Sequence, residues 1–302
     1  MGVLSICLVS ARSAAPQSYA PVQEIFLVGS VHNMHFQERY HFSMLDLEAE
    51  VRALRPDVVC GEITAEDLDG PMEGNYPPEA AMLAQVVPEW GARFIAADWR
   101  ISYERQARAE AEMSPSKIRE IEAAQNRERD WYNRFRGVSL YDYTDGSPQF
   151  QAMLDHKFED LIGDHTLADT AAGDWHERNR RIVDNCLAGA GPARRIVFAF
   201  GVSHLPQLWR QLSARGLTAQ IPPRTFTPAG LGTMHRSVIA RWQRNLRNLR
   251  GIGDGTIRVS SDMRAKVRQT HRAPVLRSEI DVYERRQRPP WVDRTATYDQ
   301  TY

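Results

Sequence analysis

Two short motifs, each with a histidine three residues after a glycine, are the first candidates for chemistry in this sequence. They are Gly29–His32 (GSVH) and Gly201–His204 (GVSH). With 19 Gly and 9 His in the chain, this spacing is expected by chance, so its context decides its value. Each motif directly follows a strongly apolar run, which predicts a histidine just beyond the end of a buried strand. Glu62 follows another apolar run, residues 58–60, in the same way.

Two imidazoles and one carboxylate form a ligand set that catalytic divalent ions use. We therefore expect His32, Glu62 and His204 to bind Mn, Co or Zn and to leave a position open for water. Because a bound ion lowers the pKa of its water, hydroxide could then attack an amide or ester carbonyl. Glu62 could instead be the general base, with fewer protein ligands on the metal. The same residues would serve a metal-free hydrolase in which a histidine activates water and the glutamate orients it or tunes the histidine pKa. The sequence leaves these mechanisms open.

A second group of polar residues lies in a helix predicted over residues 172–187. Arg178 and Asn179 fall on the face of this helix that also carries its apolar residues, Ile182, Val183 and Cys186. An inward-pointing arginine and asparagine are costly unless they are paired or serve a site. We therefore expect Arg178 to hold Glu62, to polarise a substrate carbonyl, or to pair with another buried acid.

Two further residues each allow two interpretations. Asp98 ends the third predicted strand, where it either caps the next helix or supports the site from behind. His35 lies in the loop after the first motif, either as an ordinary loop residue or as a substrate-facing residue or additional ligand.

These motifs resemble the TraB/GumN group, which includes the Tiki peptidases. The wider superfamily also contains erythromycin esterases and ChaN-like haem-binding lipoproteins. The likeness spans residues 24–222 and is most specific at residues 197–212 (VFAFGVSHLPQLWRQL). The helix motif at residues 177–179 (ERN) also contributes.

The resemblance implies an α/β domain that brings both histidines and the glutamate into one active site. For Tiki-like members it implies divalent-metal-dependent peptidase activity. Carried over to this chain, the site residues are His32, Glu62 and His204, with Arg178 and Asn179 as the helical motif. The substrate would be a peptide or a small ester or amide. The alternatives are a metal-free hydrolase like the erythromycin esterases and a non-catalytic module that binds haem or another ligand.

Apolar runs that alternate with helical patterns must position these residues. The runs predict strands over residues 24–28, 58–60, 94–97, 196–200 and 217–221. Strands alternating with helices predict an α/β fold with a mostly parallel sheet and flanking helices. Parallel sheets bind ligands beyond the carboxyl ends of their strands, where both motifs lie.

The chain divides into three predicted parts, the second of which contains an insertion. Residues 1–23 form a leader or signal segment, and residues 24–224 form the TraB-like α/β domain. Residues 102–187 are a helical insertion between the third and fourth strands. Residues 225–302 form a basic segment with a helix over 235–250, a glycine-rich turn over 251–255 and an extended end.

The charge distribution bears on the partners. The net charge is zero, which gives no overall field for nucleic acid or an anionic membrane. Residues 231–302 nevertheless hold 15 Lys or Arg against 7 Asp or Glu. This basic segment has no counterpart in the resembling families, and we expect it to be a solvated extension or to bind a protein partner.

Cysteines and apolar runs bear on the compartment. Three cysteines at distant positions predict no disulfide framework, and Cys60 and Cys186 are interpreted as buried free thiols. No apolar run reaches the roughly 18 residues of a membrane span. The apolar stretch over residues 3–11 has no preceding Lys or Arg, which favours a cytoplasmic protein over export to the periplasm.

Overall fold

The computed structural model describes residues 23–287. Five parallel strands form one sheet in the order β3-β2-β4-β1-β5. The strands are β1 (Glu24–Ser30), β2 (Val58–Gly61), β3 (Arg93–Ala96), β4 (Arg195–Gly201) and β5 (Ala219–Gln220). The predicted α/β fold with flanking helices is therefore confirmed.

The register of the central strands determines which motifs meet. β1 and β4 are neighbours, with Ser30 opposite Gly201. β2 lies on the other side of β4, with Gly61 opposite Ala199. Because all three strands run in the same direction, the residues that follow them emerge at one edge of the sheet.

Helices cover both faces of the sheet, and the predicted insertion between the third and fourth strands is confirmed. The helices next to the strands are α1 (Met44–Ala53), α2 (Pro78–Val86), α8 (Trp175–Ala190) and α9 (Leu205–Ser213). The insertion adds α3 (Tyr103–Glu112), α4 (Pro115–Arg134), α5 (Leu140–Thr144), α6 (Pro148–Asp155) and α7 (Leu167–Ala171), and a π-helical segment, His156–Ile162, continues α6.

A disulfide joins the sheet to α8, so the interpretation of free thiols is wrong. Cys60 in β2 bonds to Cys186 in α8, with the two Cα atoms 5.7 Å apart. The two residues are 126 positions apart in the chain, and only the packing of α8 on the sheet brings them together. This bond fixes the helix that carries Arg178 and Asn179 to the strand that leads to Glu62. Cys7 lies outside the described residues.

From residue 236 onward, the described part of the basic C-terminal segment is mostly helical. It forms α10 (Arg236–Asp254), α11 (Ser261–Thr270) and α12 (Arg272–Gln287). The glycine-rich turn is therefore wrong over 251–254, since α10 continues through Asp254 and is capped by Gly255, where φ is +87°. The extended end, predicted for residues 273–302, is wrong over 273–287, where Leu276, Ile280 and Tyr283 recur at helical spacing and are buried.

α10 packs against the helix that begins next to the first motif. Trp242 of α10 is fully buried and donates its indole N–H to the carbonyl of Pro78, the first residue of α2 (3.0 Å). Arg241 pairs with the buried Glu73, with Nε to Oε1 at 2.7 Å. The C-terminal helices thus belong to the support of α2.

Two sequence expectations concern the membrane and the leader. Within residues 23–287, no helix has the length and apolar character needed to cross a bilayer. Residues 1–22 of the predicted leader lie outside the described part of the chain.

Candidate functional site

The two motifs and Glu62 converge at one point beyond the sheet. A Cβ atom built at Gly201 would lie 2.7 Å from Nε2 of His32 and 3.2 Å from Oε2 of Glu62. The imidazole and the carboxylate therefore occupy the space that any side chain at position 201 would need. Glycine is required here by the close approach of two functional groups.

His32 is held by a carboxylate that the sequence analysis missed. Its Nδ1 lies 2.5 Å from Oε1 of Glu79, and the hydroxyl of Ser30 donates to the same oxygen at 2.6 Å. Glu79 is buried in the first turn of α2. With Nδ1–H directed at Glu79, Nε2 faces Gly201 and Glu62. The His32 side chain keeps 45% of its surface exposed, so it is accessible from solvent.

This pair is ionic at neutral pH. Desolvation alone would lower the pKa of His32, but the charges of Glu79 and Glu62 outweigh it and raise the pKa to about 9. Burial likewise opposes ionisation of Glu79, yet the adjacent His32 keeps the pKa of that carboxyl below its ordinary value. His32 is therefore an imidazolium that can donate a proton from Nε2.

His204 is held by an amide instead. Its Nδ1 lies 2.7 Å from Oδ1 of Asn179, and Nδ2 of Asn179 donates to the carbonyl of Trp175 at 2.7 Å. Because that amide orientation leaves Oδ1 as an acceptor, the proton of His204 is assigned to Nδ1. Nε2 then carries a lone pair and lies 3.7 Å from Oε1 of Glu62.

The surroundings of His204 keep it uncharged. The ring is buried and stacks on Trp175, with the two centroids 4.2 Å apart. Burial and the positive charge of Arg178 lower the pKa of His204 to about 4, although Glu62 acts in the opposite direction. At neutral pH His204 is therefore a proton acceptor at Nε2.

Glu62 lies between the two histidines and is fixed from three directions. Its Oε1 accepts from Nη2 of Arg178 at 2.9 Å and from Nη2 of Arg100 at 3.4 Å. Its Oε2 accepts from the backbone N–H of Gly201 at 2.8 Å. Burial opposes its charge, but the positive charges of His32 and Arg178 beside it hold its pKa well below the ordinary value.

Asp98 supports this arrangement through the arginines. It accepts from Nε of Arg178 at 2.7 Å and from Nε of Arg100 at 2.7 Å. Burial opposes ionisation of Asp98, but the two guanidinium groups lower its pKa. Asp98 and Glu62 together orient Arg178, so this arginine is a member of a buried charge network rather than an isolated cation.

His35 supports the first motif and is not available to bind a ligand. Its Nε2 accepts from the backbone N–H of Val31 at 3.0 Å, and its Nδ1 donates to the carbonyl of Phe42 at 2.8 Å. Burial lowers its pKa to about 4, so it is uncharged. It fixes the turn in which His32 adopts a φ of +49°.

The expected metal ligands fit a divalent ion poorly. Among the described residues, the donor atoms of His32, Glu62 and His204 do not gather within 4.8 Å of one another. Glu62 also accepts from two guanidinium groups, which place positive charge where an ion would bind. The His32 imidazolium adds to that repulsion. One group of three that does meet this distance is elsewhere, at Asp164, Asp169 and His176.

Two functional residues carry no useful signal in the sequence. Glu79 follows a proline at the start of a helix, where acidic residues are ordinary. Arg100 comes two residues after Asp98 in a segment without regular structure. Only the packing of α2 and of the loop after β3 brings them to the site.

Comparison of the chain with models of protein families, with curated proteins and with solved structures finds no significant match. The resemblance to the TraB/GumN group therefore rests on the short motifs alone.

Proposed function

We propose that this chain is a hydrolase of esters or amides that uses His204 and His32 as a base and an acid, without a metal ion. The observation that carries the proposal is that two histidines with different partners face one carboxylate, His32 bonded to Glu79 and His204 to Asn179. These surroundings move the pKa of His32 up to about 9 and that of His204 down to about 4. Two titratable groups whose surroundings push their pKa values apart are the usual acid and base of a site that works between those values.

The base is Nε2 of His204. The 3.7 Å gap between this atom and Oε1 of Glu62 is too long for a direct hydrogen bond, and a water molecule can bridge such a distance. Glu62 orients that water, and His204 accepts one of its protons as the oxygen attacks the substrate carbonyl. Asn179 supports the imidazolium that forms, because its Oδ1 accepts from Nδ1.

The acid is Nε2–H of His32. It donates to the oxygen or nitrogen of the leaving group, so the products are a carboxylic acid and an alcohol or amine. Glu79 stays bonded to Nδ1 throughout and fixes the ring orientation, as an acidic partner does in a catalytic triad. A proton then returns from His204 to His32 through solvent, and the cycle closes.

The test compares single variants on 4-nitrophenyl acetate and 4-nitroacetanilide. His32→Ala and His204→Gln should each lower kcat/KM by about 10²–10⁴-fold, the range of general acid–base catalysis. A matched control is His156→Ala, because His156 is 49% exposed and also pairs with a carboxylate, Asp160, at 2.7 Å. The control should retain wild-type activity.

The pH profile of wild type gives a second readout. We expect kcat/KM to rise above pH about 4 and to fall above pH about 9, since His204 must be neutral and His32 charged. Full activity of either histidine variant, or a profile flat across pH 8–10, would overturn the proposal.

A metal-dependent hydrolase is the second candidate, and the free lone pair on Nε2 of His204 beside Glu62 favours it. Elemental analysis for Mn, Co, Zn and Fe decides between the two mechanisms. It is carried out on wild type and on His204→Ala, each equilibrated with these ions and then dialysed. About one ion per wild-type chain, absent from the variant, would replace the metal-free mechanism. Activity that survives EDTA, in protein without a stoichiometric ion, would support the metal-free mechanism.

A further inference from the structure

A small cavity next to the buried charge network is lined by cations. It measures about 90 Å³ and lies between the loop after β3, the start of α8 and α11. Its polar lining consists of Arg100, Arg178, Lys266, Gln106 and Tyr103. No carboxylate is part of this lining, so the cavity is suited to a negatively charged group.

Among these three cations, Lys266 is the one without an anionic partner. Within residues 23–287 it forms no ion pair and no hydrogen bond, and its Nζ lies over the ring of Tyr76, 5.7 Å from the centroid. Burial and the positive charge of Arg100 lower its pKa to about 8, against the attraction of Asp67 and Asp98. A half-buried ammonium group without an anionic partner is costly unless a ligand supplies one.

The two arginines still have N–H groups that the buried charge network does not use. Arg178 uses Nε and Nη2 for Asp98 and Glu62, and Arg100 uses the same two atoms for the same acids. The Nη1 group of each remains without a hydrogen bond among the described residues.

The size of the cavity limits the ligand to a small group. About 90 Å³ corresponds to roughly three water molecules, which is enough for a carboxylate or a phosphate but not for a whole substrate. A larger cavity of about 630 Å³ lies alongside and shares Arg100, Tyr103 and Lys266. It has room for the rest of a substrate whose charged end enters the small cavity.

We propose that Arg100, Arg178 and Lys266 bind an anionic group of the substrate, a carboxylate or a phosphate, beside the Arg178–Glu62 pair of the candidate site. The inference that the anion belongs to a substrate rests on the proposed hydrolase function, whereas the anion site itself does not. It also gives the basic C-terminal segment a role, because α11 supplies Lys266 to a site built on the sheet.

Binding is tested first, because it is independent of catalysis. Isothermal titration with succinate and with inorganic phosphate should show saturable binding to wild type. Lys266→Met should weaken it by about 10-fold or more, as expected for a lost hydrogen bond between charged groups, and Lys266→Arg should restore most of it. Lys117→Met is the control, since Lys117 pairs with Glu120 at 3.3 Å outside these cavities and should bind like wild type.

Catalysis is tested second, with two esters that differ by one carboxylate. The ratio of kcat/KM for 4-nitrophenyl hemisuccinate to that for 4-nitrophenyl acetate should exceed 1 in wild type and fall by about 10-fold in Lys266→Met. Lys117→Met should keep the wild-type ratio. Preference for phosphate over succinate in the titration would identify the anion as a phosphate group.

The two proposals fail in different ways. Binding of succinate or phosphate that depends on Lys266, without hydrolysis of either ester, would retain the anion site and remove the hydrolase. Hydrolysis of both esters at equal rates, without anion binding, would remove the anion site and retain the hydrolase. Unchanged binding in a folded Lys266→Met variant would also overturn the anion site.

Discussion

His32 and His204 end neighbouring parallel strands, yet His32 is 45% exposed and bonds to a carboxylate, whereas His204 is 4% exposed and bonds to an amide. The carboxylate of Glu79 stabilises the charged ring. The amide oxygen of Asn179 accepts one hydrogen bond from the ring and carries no charge. The protonation state of each histidine thus follows from its surroundings, since Glu79 favours the charged ring of His32 whereas burial and Arg178 keep His204 neutral. The shared motif determines only where the ring lies.

The two histidines also depend on different parts of the chain. Glu79 belongs to α2, which α10 covers through Trp242. Asn179 belongs to α8, which the disulfide ties to β2. Disturbing one support at a time should therefore disturb one histidine more than the other.

The largest effect is expected from Trp242→Ala. Removing this fully buried indole from the contact between α10 and α2 should lower the free energy of unfolding by about 3–5 kcal/mol. In the surviving folded protein, the NMR titration of His32 should shift more than that of His204, because Glu79 lies in the affected helix. Denaturant unfolding and histidine NMR measure the two quantities.

Trp209→Ala is the control for this variant. Trp209 lies on α9 and is 41% exposed, so its removal should change the free energy of unfolding by no more than about 0.5 kcal/mol. Equal destabilisation by the two variants would show that α10 does not support α2.

The disulfide should contribute next. Replacing both cysteines in Cys60→Ala/Cys186→Ala should lower the free energy of unfolding by about 2–5 kcal/mol, the usual range for a native disulfide. The loss should affect the His204 titration more than that of His32, since α8 carries Asn179. Activity should fall with the disorder of Arg178.

Thiol titration of the denatured protein checks the bond directly. The sequence has three cysteines, so one free thiol per chain is expected, and three would contradict the bond. Disulfides persist in oxidising compartments, which favours the exported alternative over a cytoplasmic protein.

The sheet was predictable from sequence because its strands are short apolar runs closed by glycine or by an acid. The runs at 24–28 and 196–200 identify neighbouring strands, and parallel order then places their following residues at one edge. The inward face of α8 was predictable for the same reason, since apolar residues at helical spacing fix which polar residues point inward.

The partners of these residues were not predictable, because they depend on contacts between distant segments. Glu79 and the Cys60–Cys186 bond have no local pattern that distinguishes them. The helix α12 was missed because seven Arg, Glu or Asp residues dilute its apolar spacing. Charge on His32 and its absence on His204 followed only from these contacts.

The opposite shifts of the two histidines predict opposite effects of pH on stability. The pKa of His204 is lowered from an ordinary 6.5 to about 4, so its contribution is present above pH 6.5 and is lost as pH falls toward 4. The pKa of His32 is raised to about 9, so its contribution is present below pH 6.5 and is lost as pH rises through 9. Stability should therefore decline on both sides of neutrality.

Single variants separate the loss of stability at acid pH from the loss at alkaline pH, which we call the acid limb and the alkaline limb. Wild type should lose free energy of unfolding between pH 7 and pH 4, and this loss should be smaller by roughly 3 kcal/mol in His204→Gln. His32→Gln should flatten the decline between pH 7 and pH 9 and leave the acid limb unchanged. Urea unfolding at each pH measures this, and an acid limb that is the same in His204→Gln would contradict the buried neutral histidine.

The most direct test exchanges the two partners. Glu79→Gln gives His32 an amide like that of His204, and its pKa should fall by about 1–3 units. Asn179→Asp gives His204 a carboxylate, and its pKa should rise by a similar amount. NMR titration of the ring protons measures both shifts, and the limbs of the pH profile of kcat/KM should move with them. If the pKa of His32 stayed near 9 in Glu79→Gln, the charge of Glu62 would be what keeps His32 protonated. The two histidines would then differ in how strongly each interacts with Glu62, not in the residues that hold them.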